Sequence, residues 1–115
     1  MTITNTRQKL ASLRPADTDE AQLYPVPAAT EIDAVLRVCN QDTVPRSCRV
    51  AHTTAGHGDV AADGDDWLIY DYSIGAGDPP IEISIHANAT ETIRVKASVA
   101  DKLSFHLSGN AKVTS

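Results

Sequence analysis

The sequence predicts an all-β protein, an antiparallel β-sandwich of about seven short strands, Ig-like or jelly-roll-like, with an extended N-terminal arm. Three observations indicate this class. Apolar and polar residues alternate with period two from residue 22 onward, as in strands with one buried face. Turn-forming residues recur roughly every ten positions between these runs. No stretch of roughly ten or more residues keeps a helical period.

The first twenty residues differ from the rest. They contain three basic residues, few apolar ones and a proline, without a sustained period. We expect residues 1–20 to form an arm that is mobile alone and ordered only against a partner, and residues 21–115 to form the sandwich domain. The candidate assembly residues of the arm are Arg7, Lys9, Leu10, Leu13, Arg14 and Pro15.

Four later segments show the strand alternation most clearly. Their inward-facing residues are Ile32, Ala34, Leu36 and Val38; Ile81, Ile83, Ile85, Ala87 and Ala89; Ile93, Val95, Ala97 and Val99; and Leu103, Phe105 and Leu107. Weaker strands are predicted in AQLYPV, SCRVAH and WLIYDYSI. In the last, strict alternation puts Trp67 on the face opposite Leu68, Tyr70 and Tyr72.

Composition bounds the possible functions. A chain of 115 residues is one domain's worth. A net charge of −5 argues against nucleic-acid binding, which needs a basic face. The sequence contains no apolar run long enough for a membrane span and no visible secretory signal, so we expect a soluble protein made in a cytoplasm.

Two cysteines, Cys39 and Cys48, are too few for a disulfide framework. We expect them on neighbouring strands, where a cross-strand disulfide is geometrically possible. Two buried free thiols are the favoured alternative, because a cytoplasm is reducing and Cys packs well as a small apolar group.

The segment AHTTAGHGDVAADGDDW, residues 51–67, raises the question of a metal site. His52 and His57 could supply two zinc ligands, but no third ligand has a suitable spacing. Calcium would take oxygen ligands, and the weak candidates are Asp59, Asp63, Asp65 and Asp66, which lack the EF-hand spacing. The favoured interpretation is a long solvated connection, and we expect neither a functional metal site nor a cofactor.

Signatures of enzymes are missing from the sequence. It has no G-x-S-x-G elbow and no phosphate-binding glycine pattern, so we expect a non-enzymatic protein. His86 and His106 fall on polar strand faces and are candidates for surface or interface positions. Trp67 is a candidate for an interface, for the sandwich edge or for a ligand platform.

Several phrases together resemble a known group. LRPADT is followed by QLYPVPAATEIDAVLRVCN, then LIYDYSIGAGD, and finally IRVKASVADKLSFHLSG. This resembles small bacteriophage virion proteins, over about residues 13–109. The matching residues are Leu13, Arg14, Pro15, Leu23, Tyr24, Pro27, Thr30, Val38, Cys39, Asn40, Tyr70, Asp71, Ala97, Ser98, Leu103, Phe105 and Gly109.

The resemblance implies a β-sandwich building block of the particle, repeated by symmetry as capsid decoration, fibre, neck or tail accessory. Its partners would be other virion proteins and copies of itself, and its location the virion. Deleting residues 1–20 would then leave the sandwich folded but abolish incorporation. The alternatives are a receptor- or carbohydrate-binding module of a fibre or adhesin, and a calcium-stabilised adhesin domain.

Overall fold

The computed structural model describes residues 2–54, 62 and 64–114, and this part of the chain contains eight strands. They are β1 (Ile3–Leu13), β2 (Ala21–Pro25), β3 (Thr30–Asn40), β4 (Arg46–Thr53), β5 (Trp67–Ile74), β6 (Ile81–Ala87), β7 (Thr92–Ala97) and β8 (Leu103–Thr114). Sheet A has the order β1-β8-β3-β6, and sheet B has the order β2-β7-β4-β5. Every pairing is antiparallel.

The pairing is nested. β1 pairs with β8, β2 with β7, β3 with β6 and β4 with β5, as if one long hairpin had been rolled up into two sheets. The pairs β3–β8 and β4–β7 then complete each sheet. This order defines an eight-stranded jelly roll. The predicted all-β antiparallel sandwich is confirmed, and of its two proposed arrangements the strand order is that of the jelly roll.

The core lies between the two sheets and is built from small and branched side chains. In β3, buried and more exposed residues alternate strictly, and Ile32, Leu36 and Val38 are fully buried. Phe105 of β8 is the largest fully buried side chain. Sheet B supplies Val50 and other aliphatic residues from the opposite side. The inward faces predicted from alternation for β3, β6, β7 and β8 are therefore the faces that form the core, except that Ala89 and Val99 lie beyond the ends of β6 and β7 and outside the core.

The N-terminal segment corrects one expectation. Ile3–Leu13 does not form a separate arm, because it is strand β1 and pairs with β8 from Ile3↔Thr114 to Leu13↔Phe105. Leu10 and Leu13 are half-buried against the core. β1 lacks alternation because most of its residues are exposed on both faces at the sheet edge. It raises the strand count from about seven to eight.

Strand β5 departs from strict alternation. Between Cys48↔Tyr72 and Val50↔Ile69, the single residue Arg49 of β4 lies opposite both Tyr70 and Asp71. This is a β-bulge, and Asp71 adopts a left-handed backbone with φ of 51°. A second register shift follows, because Leu68 is an extra residue between Val50↔Ile69 and Ala51↔Trp67. The parity prediction for Trp67 and Tyr70 is therefore wrong: Leu68 shifts the alternation between them, and their rings meet.

The two cysteines lie in different sheets, Cys39 on β3 and Cys48 on β4, and both are free. The expected placement on neighbouring strands is wrong, because the chain crosses from sheet A to sheet B between them. Cys48 lies in the core, and burial raises the pKa of its thiol to about 12. Cys39 is only half-buried.

Candidate interaction surfaces

The outer face of sheet A is a polar surface formed by rows of side chains across the four strands. One row runs Arg7, Asn110, Asp33 and His86, and the next runs Lys9, Ser108, Val35 and Ser84. A third row contains Ser12, His106, Arg37 and Glu82. We call this surface the sheet A face. Alternation builds it on β3, β6 and β8, where these residues neighbour residues that point into the core, and the β8 pairing places the β1 residues in the same rows.

Ion pairs cross the sheet A face between neighbouring strands. Asp33 Oδ1 lies 2.6 Å from His86 Nδ1, and Arg37 Nε lies 3.3 Å from Glu82 Oε1. Lys112 Nζ lies 3.5 Å from Glu31 Oε1. The members of these pairs are exposed or half-buried, so water and salt screen them and each pair contributes little to stability. The face is therefore organised by charge but keeps its charged groups accessible.

His86 is the predicted interface histidine whose ionisation the fold changes. The hydrogen bond to Asp33, together with the charge of that carboxylate, raises the pKa of His86. A depression of about 470 Å³ lies over this pair and is also lined by Ser84 and Ser108. The serines Ser84 and Ser108 belong to the neighbouring row, opposite each other across Val35.

His106 and the candidate assembly residues of the N-terminal segment lie in sheet A or directly after its strand β1, with different degrees of burial. His106 is half-buried in the third row, opposite Ser12 on β1 and Arg37 on β3. Arg7, Lys9 and Arg14 are exposed, whereas Leu10 and Leu13 are half-buried against the core. Pro15 is buried, and its carbonyl accepts a hydrogen bond of 2.8 Å from the Asp101 N–H. The candidate assembly residues thus divide into an exposed basic set and an anchoring set.

A second surface surrounds Trp67 on the outer side of sheet B. The Arg49 guanidinium lies 3.9 Å from the Tyr70 ring centroid and 5.8 Å from that of Trp67. The two rings meet edge to face at 5.6 Å. Arg49 also donates two hydrogen bonds, of 2.7 and 3.1 Å, to Asp71. We call Arg49, Trp67, Tyr70 and Asp71 the aromatic cluster.

The aromatic cluster depends on the β5 bulge, which alternation does not reveal. The bulge brings Tyr70 and Asp71 to the same arginine, and the hydrogen bonds from Arg49 hold the pKa of Asp71 below its usual range. Tyr70 is 58% exposed although it stacks on Arg49. An open cleft of about 530 Å³ lies beside it, lined by Gly64, Trp67 and Tyr70. The cluster is thus a fixed aromatic surface open to solvent.

The calcium candidates are only partly described. Asp59 and Asp63, like His57, lie outside the described residues. Asp65 is exposed, and the Asp66 carbonyl accepts a hydrogen bond of 2.9 Å from the His52 N–H. His52 Nε2 lies 2.9 Å from Glu91 Oε1. Within the described ranges, no group of three or more His, Cys, Asp or Glu side chains could hold a metal ion.

Sequence reasoning missed a buried ion pair on the outer side of sheet B. Arg94 neighbours the core residues Ile93 and Val95, so it points outward, yet it is only 3% exposed. Its Nε donates to Oε2 of Glu20, which also accepts a hydrogen bond of 3.0 Å from the Ala62 N–H. This pair ties the β1–β2 and β4–β5 connections onto the sheet. Because its partners are 74 residues apart, no local pattern indicates it.

Among the described residues, no helix is long and apolar enough to cross a membrane. The fold and these surfaces define a class, the jelly-roll domains, which present flat polar sheet faces and exposed strand edges. No family model matches the chain, and no curated protein matches it.

Solved structures with this fold include subunits of two kinds of assembly. A structure of Bacillus endospore appendages, described as a novel family of disulfide-linked pili, matches with TM-score 0.57 and 12% identity, over 98% of this chain and 88% of that chain. The infectious bursal disease virus VP2 subviral particle matches with TM-score 0.52 and 12% identity, over 96% of this chain and 32% of that chain. The structure of the Gx strain of that virus matches with TM-score 0.52 and 15% identity, over 97% of this chain and 32% of that chain.

These similarities show a shared fold. The chain spans about a third of the length of the viral chains and most of the length of the pilus chain. The matching structures are a pilus and viral particles, which are structural assemblies of repeated subunits.

Proposed function

We propose that this chain is a non-enzymatic structural component of a bacteriophage virion, repeated by symmetry as capsid decoration, head fibre, neck or tail accessory. Its N-terminal segment contributes to docking, with Arg7, Lys9 and Arg14 as the exposed contact residues. Its partners are other virion proteins and further copies of itself. It is made in the bacterial host cytoplasm and functions on the particle.

The observation that carries this proposal is the jelly roll itself. It occupies nearly the whole chain, and the pilus and viral subunits share it over nearly the whole of this chain. The bacteriophage assignment is supported separately, by the resemblance of the LRPADT, VCN and LSF segments to small phage virion proteins. Many weak contacts add up on a lattice, because each copy is held at high effective concentration by its neighbours.

Immunogold electron microscopy of particles from a producing lysate tests the proposal, with an antibody raised against this chain. We expect gold on heads, necks or tails, at a regular position on each particle. Particles made without the gene are the control and should stay unlabelled. Unlabelled wild-type particles, with all the antigen in the soluble fraction, would contradict the proposal.

A second candidate function, carbohydrate binding, is favoured by the aromatic cluster. Tyr70 is 58% exposed although the Arg49 guanidinium lies 3.9 Å from its ring centroid. Such a ring can stack on the apolar face of a sugar, and the exposed carboxylate of Asp65, next to Gly64 in the chain, can accept hydrogen bonds from hydroxyls. Gly64 leaves the cleft open, because apart from its chain neighbours no atom of the described residues lies within 4 Å of the position its Cβ would take.

A glycan array tests this second function. We expect signals with the wild-type chain that are lost in Tyr70→Ala. Leu68→Ala is the matched control, because Leu68 is an exposed β5 residue outside the aromatic cluster. An array without any wild-type signal would reject carbohydrate binding and leave the structural proposal unaffected.

A further inference from the structure

The edges of the two sheets differ in how well they could pair with another chain. In sheet B, edge strand β2 has only five residues, ends at Pro25 and has a register shift. The other edge, β5, has two register shifts and the left-handed Asp71. Short strands, prolines and bulges are the features by which proteins block edge-to-edge pairing. Both edges of sheet B are therefore blocked.

Both edges of sheet A are regular. Edge strand β6 pairs with β3 in unbroken register over its seven residues. On the opposite edge, Ile3–Lys9 of β1 pairs with β8 in unbroken register, and the shift comes only after Lys9. Neither seven-residue segment contains proline or glycine. Each presents a row of backbone N–H and C=O groups on its free side.

The strand directions make these two edges compatible. Sheet A has four strands, and each neighbouring pair is antiparallel, so β1 and β6 run in opposite directions. A second copy placed beside the first in the same orientation therefore brings its β1 antiparallel to the first copy's β6. The sheet can continue across the contact with an unchanged antiparallel pattern.

The exposed charges favour this pairing over pairing of β1 with β1. Arg7 and Lys9 face outward on β1 and would meet like charges in a β1–β1 contact, which is destabilising. The outward residues of β6 are Glu82, Ser84 and His86. A register with Lys9 opposite Glu82 also places Arg7 opposite Ser84 and Asn5 opposite His86. In this register no two cations oppose each other. His86, whether charged or neutral, faces the neutral Asn5.

We propose that β6 (Ile81–Ala87) of one copy pairs antiparallel with Ile3–Lys9 of the next copy, with Lys9 opposite Glu82. The inference rests on the proposed function in taking the chain to be a repeated subunit. It adds the surface, the partner and the register of the repeat. Such a contact is head-to-tail, so the copies form a closed ring or an open filament, according to the rotation between neighbours.

Disulfide trapping tests the register. In full-length chain with Cys39→Ser, the double variant Arg7→Cys and Ser84→Cys places two thiols opposite each other in neighbouring copies. We expect mild oxidation to give a ladder of dimers, trimers and larger species on non-reducing gels. The matched control, Arg7→Cys with Ser73→Cys on the blocked β5 edge, should give no ladder.

Other outcomes of the trapping experiment would overturn the inference. Dimers from Ser84→Cys alone would show β6–β6 pairing of two copies. Monomers from the double variant, while immunogold still labels particles, would remove this pairing and leave the proposed function standing. Unlabelled wild-type particles would contradict the proposed function, whatever the trapping experiment gives.

Charge exchange is a second, non-covalent test. In sedimentation experiments at low salt, we expect Glu82→Lys to weaken self-association by about tenfold, because it opposes Lys9 of the next copy. The double variant Lys9→Glu and Glu82→Lys should recover most of the loss. Unchanged association of Glu82→Lys, or no recovery in the double variant, would overturn the register.

Discussion

At the scale of single residues, the charge with the largest expected effect on stability is that of Arg94, which the fold buries. Arg94 is almost completely buried on the outer side of sheet B, and Glu20 is its partner. A buried ion pair adds little net stability, because desolvation offsets the attraction. Removing only one partner is costly, since the other charge is left buried without compensation.

We therefore expect Arg94→Ala to lower the free energy of unfolding by about 3 kcal/mol. Arg37→Ala is the control, because Arg37 pairs with Glu82 at an exposed position, and it should change stability by less than about 1 kcal/mol. Urea unfolding followed by circular dichroism measures both. Equal effects of the two substitutions would show that Arg94 is not held in a buried pair.

The Asp33–His86 pair predicts a pH effect. Since Asp33 raises the pKa of His86, the pair stabilises the folded state at pH values below the histidine's unfolded-state pKa. That contribution is lost as pH rises through the raised folded-state pKa. An NMR titration of the imidazole should give a midpoint above the ordinary histidine value, and Asp33→Asn should lower it. A midpoint that Asp33→Asn leaves unchanged would contradict the assignment.

At the scale of elements, β1 consists of two parts with different roles. Residues 3–9 are exposed on the edge of sheet A, whereas Leu10, Ala11 and Leu13 are half-buried against the core. The first part presents the backbone N–H and C=O groups of the sheet edge to solvent. The second part packs against the core and covers one side of the sandwich. The strand therefore joins a candidate docking segment to a structural anchor.

Two truncations should separate these roles. Deleting residues 1–9 should lower the free energy of unfolding by only about 1 kcal/mol, since it removes exposed edge pairing. Deleting residues 1–13 should cost at least about 3 kcal/mol, because it also removes the two leucines from the core. Chemical unfolding of both variants measures the difference. Equal stabilities would contradict the division of β1.

Close packing of β8 against β3 makes Gly109 irreplaceable. A Cβ there would lie 2.3 Å from the Asp33 carbonyl oxygen and 2.5 Å from the Ala34 Cα, both backbone atoms of β3. We expect Gly109→Ala to destabilise the protein by about 3 kcal/mol, because neither backbone atom can rotate away. Gly64→Ala, in open space, should change thermal stability by less than about 0.5 kcal/mol. A tolerated Gly109→Ala would mean that β3 and β8 lie further apart.

The elements with one buried face could be predicted from the sequence, and the others could not. Ile32, Leu36 and Val38 alternate because only one face of β3 meets the core. β1 was not predicted because exposure on both faces leaves no alternation. The aromatic cluster depends on two register shifts in β5, at Leu68 and at Tyr70–Asp71. The Glu20–Arg94 pair depends on residues distant in the chain. Neither bulges nor distant pairings leave a local period.

At the scale of the whole molecule, the nested pairing should make folding slow and cooperative. Except for β4–β5, the paired strands are not consecutive in the chain. Folding is slowed because the entropy of closing these long loops is lost before the strand contacts stabilise the chain. In stopped-flow dilution from urea, we expect refolding in milliseconds to seconds. Fluorescence of the single tryptophan, Trp67, should change together with circular dichroism. An earlier fluorescence phase would show that β4 and β5 pair before the rest.

The register of β1 on β8 also determines how the domain would respond to mechanical load. Ile3 lies opposite Thr114, so tension between these two residues pulls on the ladder from one end and breaks its hydrogen bonds in succession. Tension directed along β1 against a fixed β8 loads the same hydrogen bonds together, in shear. The domain should therefore open at low force when pulled between Ile3 and Thr114 and resist a much higher force when pulled along β1 against β8.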